Sequence, residues 1–246
     1  MARIEIVDES ITLDEPSLVE GLPGVGLVGK IAADHMVDTF DMAHYGNVLC
    51  ESLPKVAVYG TDDPTLSPPV RLYADAEHDL LVLQSDVPVA PRAASDFAGC
   101  ISSWQREQDV TPIYLSGMPV EKDEGVPYLY GVAAGDGAAR LESAGIERPD
   151  ENGLVSGPTG ALLHESVANH LTAVGLIVES DPQFPDPEAA RVLIKDGIEP
   201  LTGVTVDTEN LVDRAEEIRQ AKEQLAKQMQ EADTDATQAQ PLRGYQ

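Results

Sequence analysis

A glycine-rich run near the amino terminus limits what this chain can fold into more than any other feature. Residues 21–34 read Gly-Leu-Pro-Gly-Val-Gly-Leu-Val-Gly-Lys-Ile-Ala-Ala-Asp, and apolar residues then recur at helical spacing as far as Phe40. Glycine permits tight turns and a close approach between backbone segments. The run therefore predicts a turn that packs a helix, over residues 29–40, closely against a sheet.

The same run partly satisfies the pattern of a phosphate-binding loop. Gly24, Gly29 and Lys30 have the required spacing, and both glycine-rich nucleotide motifs hold phosphate on backbone N–H groups at a helix N-terminus. The loop also needs Ser or Thr after its lysine to ligate magnesium, and this chain has Ile31 there. The phosphate-loop pattern is therefore incomplete.

A dinucleotide fingerprint is the second partial match. Gly24, Gly26 and Gly29 have its spacing, and Glu51 could serve as the acid that binds the ribose. The motif needs a strand that runs straight into its first glycine, whereas residues 17–22 are interrupted by a glycine and followed by a proline. Nucleotide binding thus remains an alternative to a purely structural turn.

Charge is the strongest signal in the composition. Of 246 residues, 43 are Asp or Glu and 16 are Lys or Arg, so the formal net charge is −27. The acidic residues are spread along the chain, as expected for a protein adapted to a salt-rich cytoplasm. Without a basic stripe we expect no nucleic-acid partner, and without a long apolar run no membrane span. Cys50 and Cys100 are expected to be reduced structural cysteines.

Strand and helix patterns alternate along the chain, and a second glycine-rich turn lies at residues 156–160. This order predicts an α/β domain with a mixed or parallel sheet covered on both faces. Strands are predicted at 3–7, 47–53, 55–59, 70–74, 79–83, 112–115, 128–133 and 173–178, and helices at 29–40, 91–108, 137–144, 161–171 and 187–198. The residues predicted to shape the two turns are Gly21, Pro23, Gly24, Gly26, Gly29, Gly157, Pro158 and Gly160.

The carboxy-terminal part changes character after the predicted core domain, residues 1–206. Residues 207–232 predict an amphipathic helix that packs either on its own domain or between subunits. Residues 233–246 lack periodicity and are expected to form a disordered tail. The predicted oligomer stripe of the helix consists of Leu211, Ala215, Ile218, Leu225 and Met229.

Three segments together resemble the proteasome assembly chaperone family, specifically its archaeal members related to the eukaryotic second chaperone subunit. They are residues 20–34, with the sequence Glu-Gly-Leu-Pro-Gly-Val-Gly-Leu-Val-Gly-Lys at their start, residues 156–163 and residues 179–190. The resemblance implies a three-layer α/β fold of nucleoside-phosphorylase-like architecture, no catalysis and no cofactor. It also implies self-association and binding to proteasome α subunits or the core particle.

The last residues extend this resemblance. Family members and proteasome activators often end in a hydrophobic residue, then Tyr, then any residue, and this end inserts between α subunits. Tyr245 and Gln246 match, while Gly244 replaces the hydrophobic residue and Leu242 lies two positions earlier. The resemblance thus assigns partner binding to the tail.

An enzyme is the competing functional class. His164, Ser166 and His170 form the most suggestive cluster, but no nucleophile-elbow glycine pattern surrounds the serine. The two histidines are six residues apart, which places them on different faces of a helix and predicts no metal site. His35 is expected on a helix surface. The sequence therefore favours a non-enzymatic chaperone over a nucleotide-binding α/β enzyme.

Overall fold

The structure is a computed structural model that describes residues 3–60, 64–120 and 125–211. These residues form one mixed sheet, whose neighbours run in the order β1-β3-β4-β5-β2-β6-β8-β7. The strands are β1 (Arg3–Ile6), β2 (Ser17–Gly21), β3 (Ala43–Leu49), β4 (Val70–Asp75), β5 (Leu80–Ser85), β6 (Thr111–Pro119), β7 (Leu129–Ala134) and β8 (Ala173–Ser180).

Helices connect the strands and cover the sheet. Two of them begin with a 3-10 turn, at Val25–Leu27 and Pro91–Ala93, and the last helical stretch passes through a π-helical turn at Leu193–Ile198. The helices are α1 (Val28–Thr39), α2 (Ala94–Glu107), α3 (Gly137–Ser143), α4 (Gly157–Ala168), α5 (Pro187–Val192) and α6 (Glu199–Thr202).

The four central strands are parallel. β2 pairs with β5 and β6, and β6 pairs with β8, all in the same direction. The pairs β1–β3, β3–β4, β4–β5 and β7–β8 are antiparallel. This arrangement confirms the predicted α/β class with a mixed sheet, in which βα connections bury the parallel strands.

The side chains of the central strands alternate between the two faces of the sheet and pack into two separate hydrophobic cores. Val19, Val82 and Ile113 face the layer that contains α1 and α5, whereas Leu18 and Leu83 face the layer of α2 and α4. Successive residues of a strand point to opposite faces, so each parallel strand contributes to both cores. The result is a helix–sheet–helix sandwich of three layers.

One pair of predicted strands is wrong. The predicted strands at 47–53 and 55–59 are replaced by β3, which ends at Leu49, followed by a segment with a single bridge between Val58 and Ser67. Pro54 lies in this segment and cannot donate a ladder hydrogen bond, which favours an irregular connection.

The central strand β2 is absent from the sequence-based assignment. Its residues Leu18 and Val19 are fully buried, and the strand pairs on both sides. It is only five residues long and ends at Gly21, so its apolar run is too short to stand out against the following turn.

The core continues beyond the predicted boundary at residue 206. Val206 and Leu211 are completely buried in the core on the α1 and α5 side. The Nζ of Lys195 donates to the Val206 carbonyl at 2.9 Å, and the Val206 N–H donates to Glu199 at 2.7 Å. These two bonds fix the chain at Val206, and the burial of Leu211 extends the core to the last described residue.

Candidate functional site

The first glycine turn, residues 21–29, connects β2 to α1 across the ends of β6 and β8. The carbonyl of Val25 approaches Gly117 of β6 so closely that a Cβ on this glycine would be 2.5 Å from the oxygen. The N–H of Asp186 donates to the Gly26 carbonyl at 2.8 Å. The turn is therefore fixed to the parallel strands by contacts within the protein itself.

Gly26 is the residue of this turn for which both conformation and space require glycine. Its φ is +61°, and a Cβ placed on it would be 1.9 Å from the Oγ of Ser180. Gly24 has an extended backbone with φ −141°, and a Cβ there would have no neighbour within 4 Å. Gly24 is among the residues predicted to shape this turn, but neither its backbone conformation nor its neighbours exclude a side chain at this position.

The second glycine turn, residues 156–160, begins α4. Gly157 has a φ of +70°, Pro158 occupies the second helical position, and a Cβ on Gly160 would be 2.3 Å from the Val155 carbonyl oxygen. Proline suits this position because the first N–H groups of a helix have no intrahelical partner. The turn thereby positions Thr159 over the sheet.

The two turns meet at Glu20, a residue that is 0% exposed at the end of β2. Its Oε2 accepts the N–H of Leu115 at 3.0 Å, and its Oε1 accepts the N–H of Leu22 at 3.2 Å. The hydroxyl of Thr159 lies 3.2 Å and 3.3 Å from the two carboxyl oxygens. One carboxyl group thus ties together β2, β6 and the N-terminus of α4.

Burial dominates the protonation of Glu20. It raises the pKa of the carboxyl from 4.5 to about 8, although the bonds from Leu115, Thr159 and Leu22 oppose this change. Desolvation disfavours the charged form, and three donors favour it. In the neutral form the carboxyl can donate a hydrogen bond to the Thr159 hydroxyl. The hydroxyl can then donate its own hydrogen to the Leu115 carbonyl oxygen, which lies 3.5 Å away.

Lys30, the candidate phosphate-binding lysine, is paired with carboxylates. Its Nζ lies 2.7 Å from Asp34 and 3.4 Å from Asp86. Arg71 also contacts Asp86, at 2.6 Å, and Gln84 joins the group by donating to Asp34 at 2.8 Å. Two carboxylates beside the lysine oppose a phosphate anion, so this arrangement argues against a phosphate loop.

Glu51 does not lie where a dinucleotide site needs its ribose-binding acid. It follows β3, which is three positions from β2 in the sheet, or about 14 Å at ordinary strand spacing. In the dinucleotide fold this acid follows a strand next to the glycine-bearing one. The dinucleotide interpretation therefore also lacks support from the geometry.

The candidate catalytic residues are not brought together. Ser166 is fully buried and donates to the Leu162 carbonyl at 3.1 Å, while His164 and His170 are exposed. The expectation that His35 lies on the surface is wrong: it is 5% exposed and contacts the Asp207 carbonyl. Among the described residues, no cluster of His, Cys, Asp and Glu could hold a metal, and no helix could cross a membrane.

The predicted partner-binding residues lie outside the described ranges, namely Leu242, Gly244, Tyr245 and Gln246, as do Ala215, Ile218, Leu225 and Met229 of the predicted oligomer stripe. Leu211 is the described member of that stripe. It is fully buried in the core of its own domain, so its assignment to a contact between subunits is not supported. Burial against α1 and α5 leaves no surface of this side chain for a second copy.

Sequence reasoning did not single out Glu20 as a functional group. The available signal is its position, because an acidic residue stands between the buried Val19 and Leu22 in an otherwise apolar strand. A charged residue in such a place is rare unless it is paired. Its partner Thr159 is 139 residues away, and only the fold brings the two together.

Comparisons of the sequence and of the fold with known proteins point to the same family. The model of the PAC2 family matches residues 18–226. An uncharacterised protein of Methanocaldococcus jannaschii is 27% identical over 219 residues, which cover 89% of this chain and 88% of the relative.

Two crystal structures from Pyrococcus furiosus have the same fold. PbaA, an archaeal homologue of proteasome-assembly chaperone, is 25% identical with a TM-score of 0.79, over 95% of this chain and 96% of PbaA. PbaB, an archaeal proteasome activator, is 22% identical with a TM-score of 0.77, over 92% and 98% of the two chains. With a family match over most of its length, the chain belongs to the PAC2 family.

Proposed function

We propose that this protein is a non-enzymatic proteasome assembly chaperone or activator-like factor that binds proteasome α subunits. The observation that carries the proposal is the match of nearly the whole chain to PbaA, with a TM-score of 0.79 at 25% identity. The family match over residues 18–226 supports the same class of function.

The surroundings of the two glycine turns favour a structural role for them over a ligand-binding one. Their closest neighbours are groups of the protein itself: Ser180 at Gly26, the Val155 carbonyl at Gly160 and the carboxyl of Glu20 between them. Lys30 is paired with Asp34 and Asp86, which favours a turn that organises the fold over one that binds a nucleotide.

Partner binding is assigned to the tail from Pro241 to Gln246. Tyr245 brings aromatic area that can be buried in a pocket between α subunits and a hydroxyl that can form a hydrogen bond there, and Gln246 follows it as in the family pattern. Gly244 contributes no apolar contact, so each tail is expected to bind weakly. Leu242 is the nearest aliphatic residue that can add one.

Self-association compensates for a weak tail. Several tails on one homo-oligomer, facing a ring with repeated pockets, raise the effective concentration of each binding event. The predicted stripe on residues 207–232 remains the candidate contact between subunits, through Ala215, Ile218, Leu225 and Met229. We place this oligomer in a salt-rich cytoplasm, in keeping with the acidic composition of the chain.

The test is a pulldown of purified α subunits in high salt. The intact chain is compared with a chain that lacks Gly244 to Gln246 and with Tyr245→Ala. Tyr59→Ala is the matched control, because this tyrosine is 79% exposed on the body of the domain.

Binding by the intact chain and by the control, with loss in the two tail variants, is the expected result. Binding that survives truncation would move recognition to the folded body, and no binding by any form would overturn the proposal. Adding the protein to separate α subunits and to finished particles, with particle formation and peptide hydrolysis as readouts, distinguishes assembly from activation.

A further inference from the structure

One edge of the sheet is partly covered and the other is open. At the edge formed by β7, the N–H of Gly131 donates to the Glu147 carbonyl at 2.7 Å. At the opposite edge, β1 pairs with β3 alone, and within the described ranges no other segment bonds to its outer side. Unpaired N–H and C=O groups at an edge are a template for another strand, so the free side of β1 is a candidate interaction surface.

The pairing of β1 with β3 determines which backbone groups face outward. The N–H of Val7 donates to the Tyr45 carbonyl at 2.9 Å, in the register that the whole β1–β3 pair follows. Residues of an antiparallel strand alternate between those that are bonded to the neighbouring strand and those that are not. The odd-numbered residues are therefore bonded to β3, and the N–H and C=O groups of Ile4 and Ile6 point away from the sheet.

The side chains of β1 carry charges of opposite sign on one face. The side chains of Arg3 and Glu5 are 68% and 50% exposed, and their nearest charged atoms lie 4.0 Å apart. Ile4, between them, packs partly buried against the core on the α2 and α4 side. A short, charged edge strand resists pairing with most partners, because few incoming strands carry matching charges. A second copy of β1 matches it in one register.

We propose that two copies of this chain associate by antiparallel pairing of their β1 strands, with Ile4 of one copy opposite Ile4 of the other. The outward-facing N–H and C=O groups of the two Ile4 residues then bond to each other, and each Arg3 lies opposite a Glu5. Opposite charges directly across a strand pair are stabilising. The contact has two-fold symmetry, as in most homodimers, and joins two eight-stranded sheets edge to edge.

The other registers that the outward groups allow do not match the charges. Ile4 opposite Ile6 sets Glu5 against Glu5 of the second copy, and like charges directly across a strand pair are destabilising. Ile6 opposite Ile6 sets Glu5 against Val7 and leaves Arg3 without an acid of β1 opposite it. The register centred on Ile4 is thus the one in which both charged residues of the strand meet an opposite charge.

The test is the mass of the full chain, measured by sedimentation velocity over a range of concentrations. High salt is used because it screens the repulsion between two bodies of net charge −27. Arg3→Glu and Glu5→Arg each set like charges against each other across the contact. We expect each to raise the dissociation constant at least about tenfold, so that the mass at a fixed concentration falls towards half.

Restoring the charge match should restore the contact. The double variant, Arg3→Glu with Glu5→Arg, should regain the wild-type mass. An equimolar mixture of the two single variants should also associate, because each charge then meets its opposite. The single variants change the net charge in opposite directions, so net charge cannot explain a shared loss. Glu9→Arg is the matched control, because it changes an exposed acid outside β1 and should keep the wild-type mass.

Amide hydrogen exchange of the wild type locates the contact without any substitution. The N–H of Ile4 should be protected at high concentration and lose protection on dilution, whereas the N–H of Val7, bonded to Tyr45, should stay protected at both. A wild type that is monomeric throughout, single variants that keep the wild-type mass, a mixture that stays dissociated, or an Ile4 amide without concentration-dependent protection would each overturn the proposal.

These outcomes are independent of the proposed function. No proteasome subunit is present in the measurements, and the stripe on residues 207–232 is the same in every variant. Loss of the β1 contact therefore leaves the tail and its partner untested, while a failed pulldown of α subunits leaves the β1 contact standing. Circular dichroism checks that each variant is folded, and the exchange data on the wild type decide the question for any variant that is not.

Discussion

The buried carboxyl of Glu20 should make the stability of this protein depend on pH in a specific way. Its pKa is about 8 in the folded chain against an ordinary value of 4.5, a gap of about 3.5 pH units. At about 1.4 kcal/mol per unit, the protonated form is favoured on folding by about 5 kcal/mol. Since the folded chain holds this proton more tightly, stability falls as pH rises from about 4.5 to about 8 and is then level.

The perturbation is Glu20→Gln, which removes the titration and keeps one acceptor oxygen for either the Leu115 or the Leu22 N–H group, each of which donates to a different oxygen of the carboxyl. The loss of the other hydrogen bond does not depend on pH, so it shifts the difference between the two proteins by a constant. The free energy of unfolding of the wild type minus that of the variant should fall by about 4 kcal/mol between about pH 5 and pH 8. Urea unfolding at constant high salt measures both proteins, and the other titrating groups cancel in the difference.

Glu107→Gln is the matched control, because this residue is exposed at the end of α2. Its difference from the wild type should stay constant over the same pH range. A constant difference for Glu20→Gln as well would refute the reasoning, since it would mean that the buried carboxyl does not take up a proton on folding.

Three further predictions concern stability. Gly26→Ala should destabilise the fold by at least about 2 kcal/mol, because it combines a positive φ with a collision at Ser180, whereas Gly24→Ala should change it by less than about 1 kcal/mol. Equal urea midpoints for the two variants would contradict this. Leu211→Ala should cost about 2–5 kcal/mol in the same assay, and the exposed neighbour Glu209→Ala close to nothing. Transfer to dilute buffer should unfold the protein, because the net charge is −27 and the repulsion among its acidic residues is no longer screened by salt. At about 0.1 M salt, charges already interact over about 10 Å. A full circular-dichroism signal in dilute buffer would count against salt adaptation.

The local pattern of apolar residues in the sequence was sufficient to predict most of the strands and helices. The hairpin of β4 and β5, the helix α2 and the strand β8 were all predicted within a few residues of their observed bounds. Each is either a regular apolar period or a short apolar run bounded by turn residues, and these signals survive without tertiary information. The connection after β3 was misassigned because its valines and tyrosine have strand propensity, while prolines and missing ladder partners prevent pairing.

The candidate site depended far more on the fold. The sequence contained the glycine spacing, but two nucleotide motifs and a structural turn share it, so spacing alone left three interpretations open. The pairing of Lys30 with Asp86, 56 positions away, bears on that choice, and no local pattern encodes it. The contrast between Gly24 and Gly26 likewise depends on Ser180, which belongs to a strand at the far end of the parallel set.

The sequence by itself determined the α/β class, the alternation of strands and helices, the acidic character of the protein and its resemblance to a known family. These properties depend on composition and on residues that are close along the chain. The tertiary structure alone decided that Glu20 meets Thr159, that Lys30 meets Asp86 and that Leu211 lies in the core of its own domain. The physical reason is that groups far apart in sequence come into contact, and lose their water, only when the chain folds and closes its long loops, and burial and contact then set the protonation of a group such as Glu20.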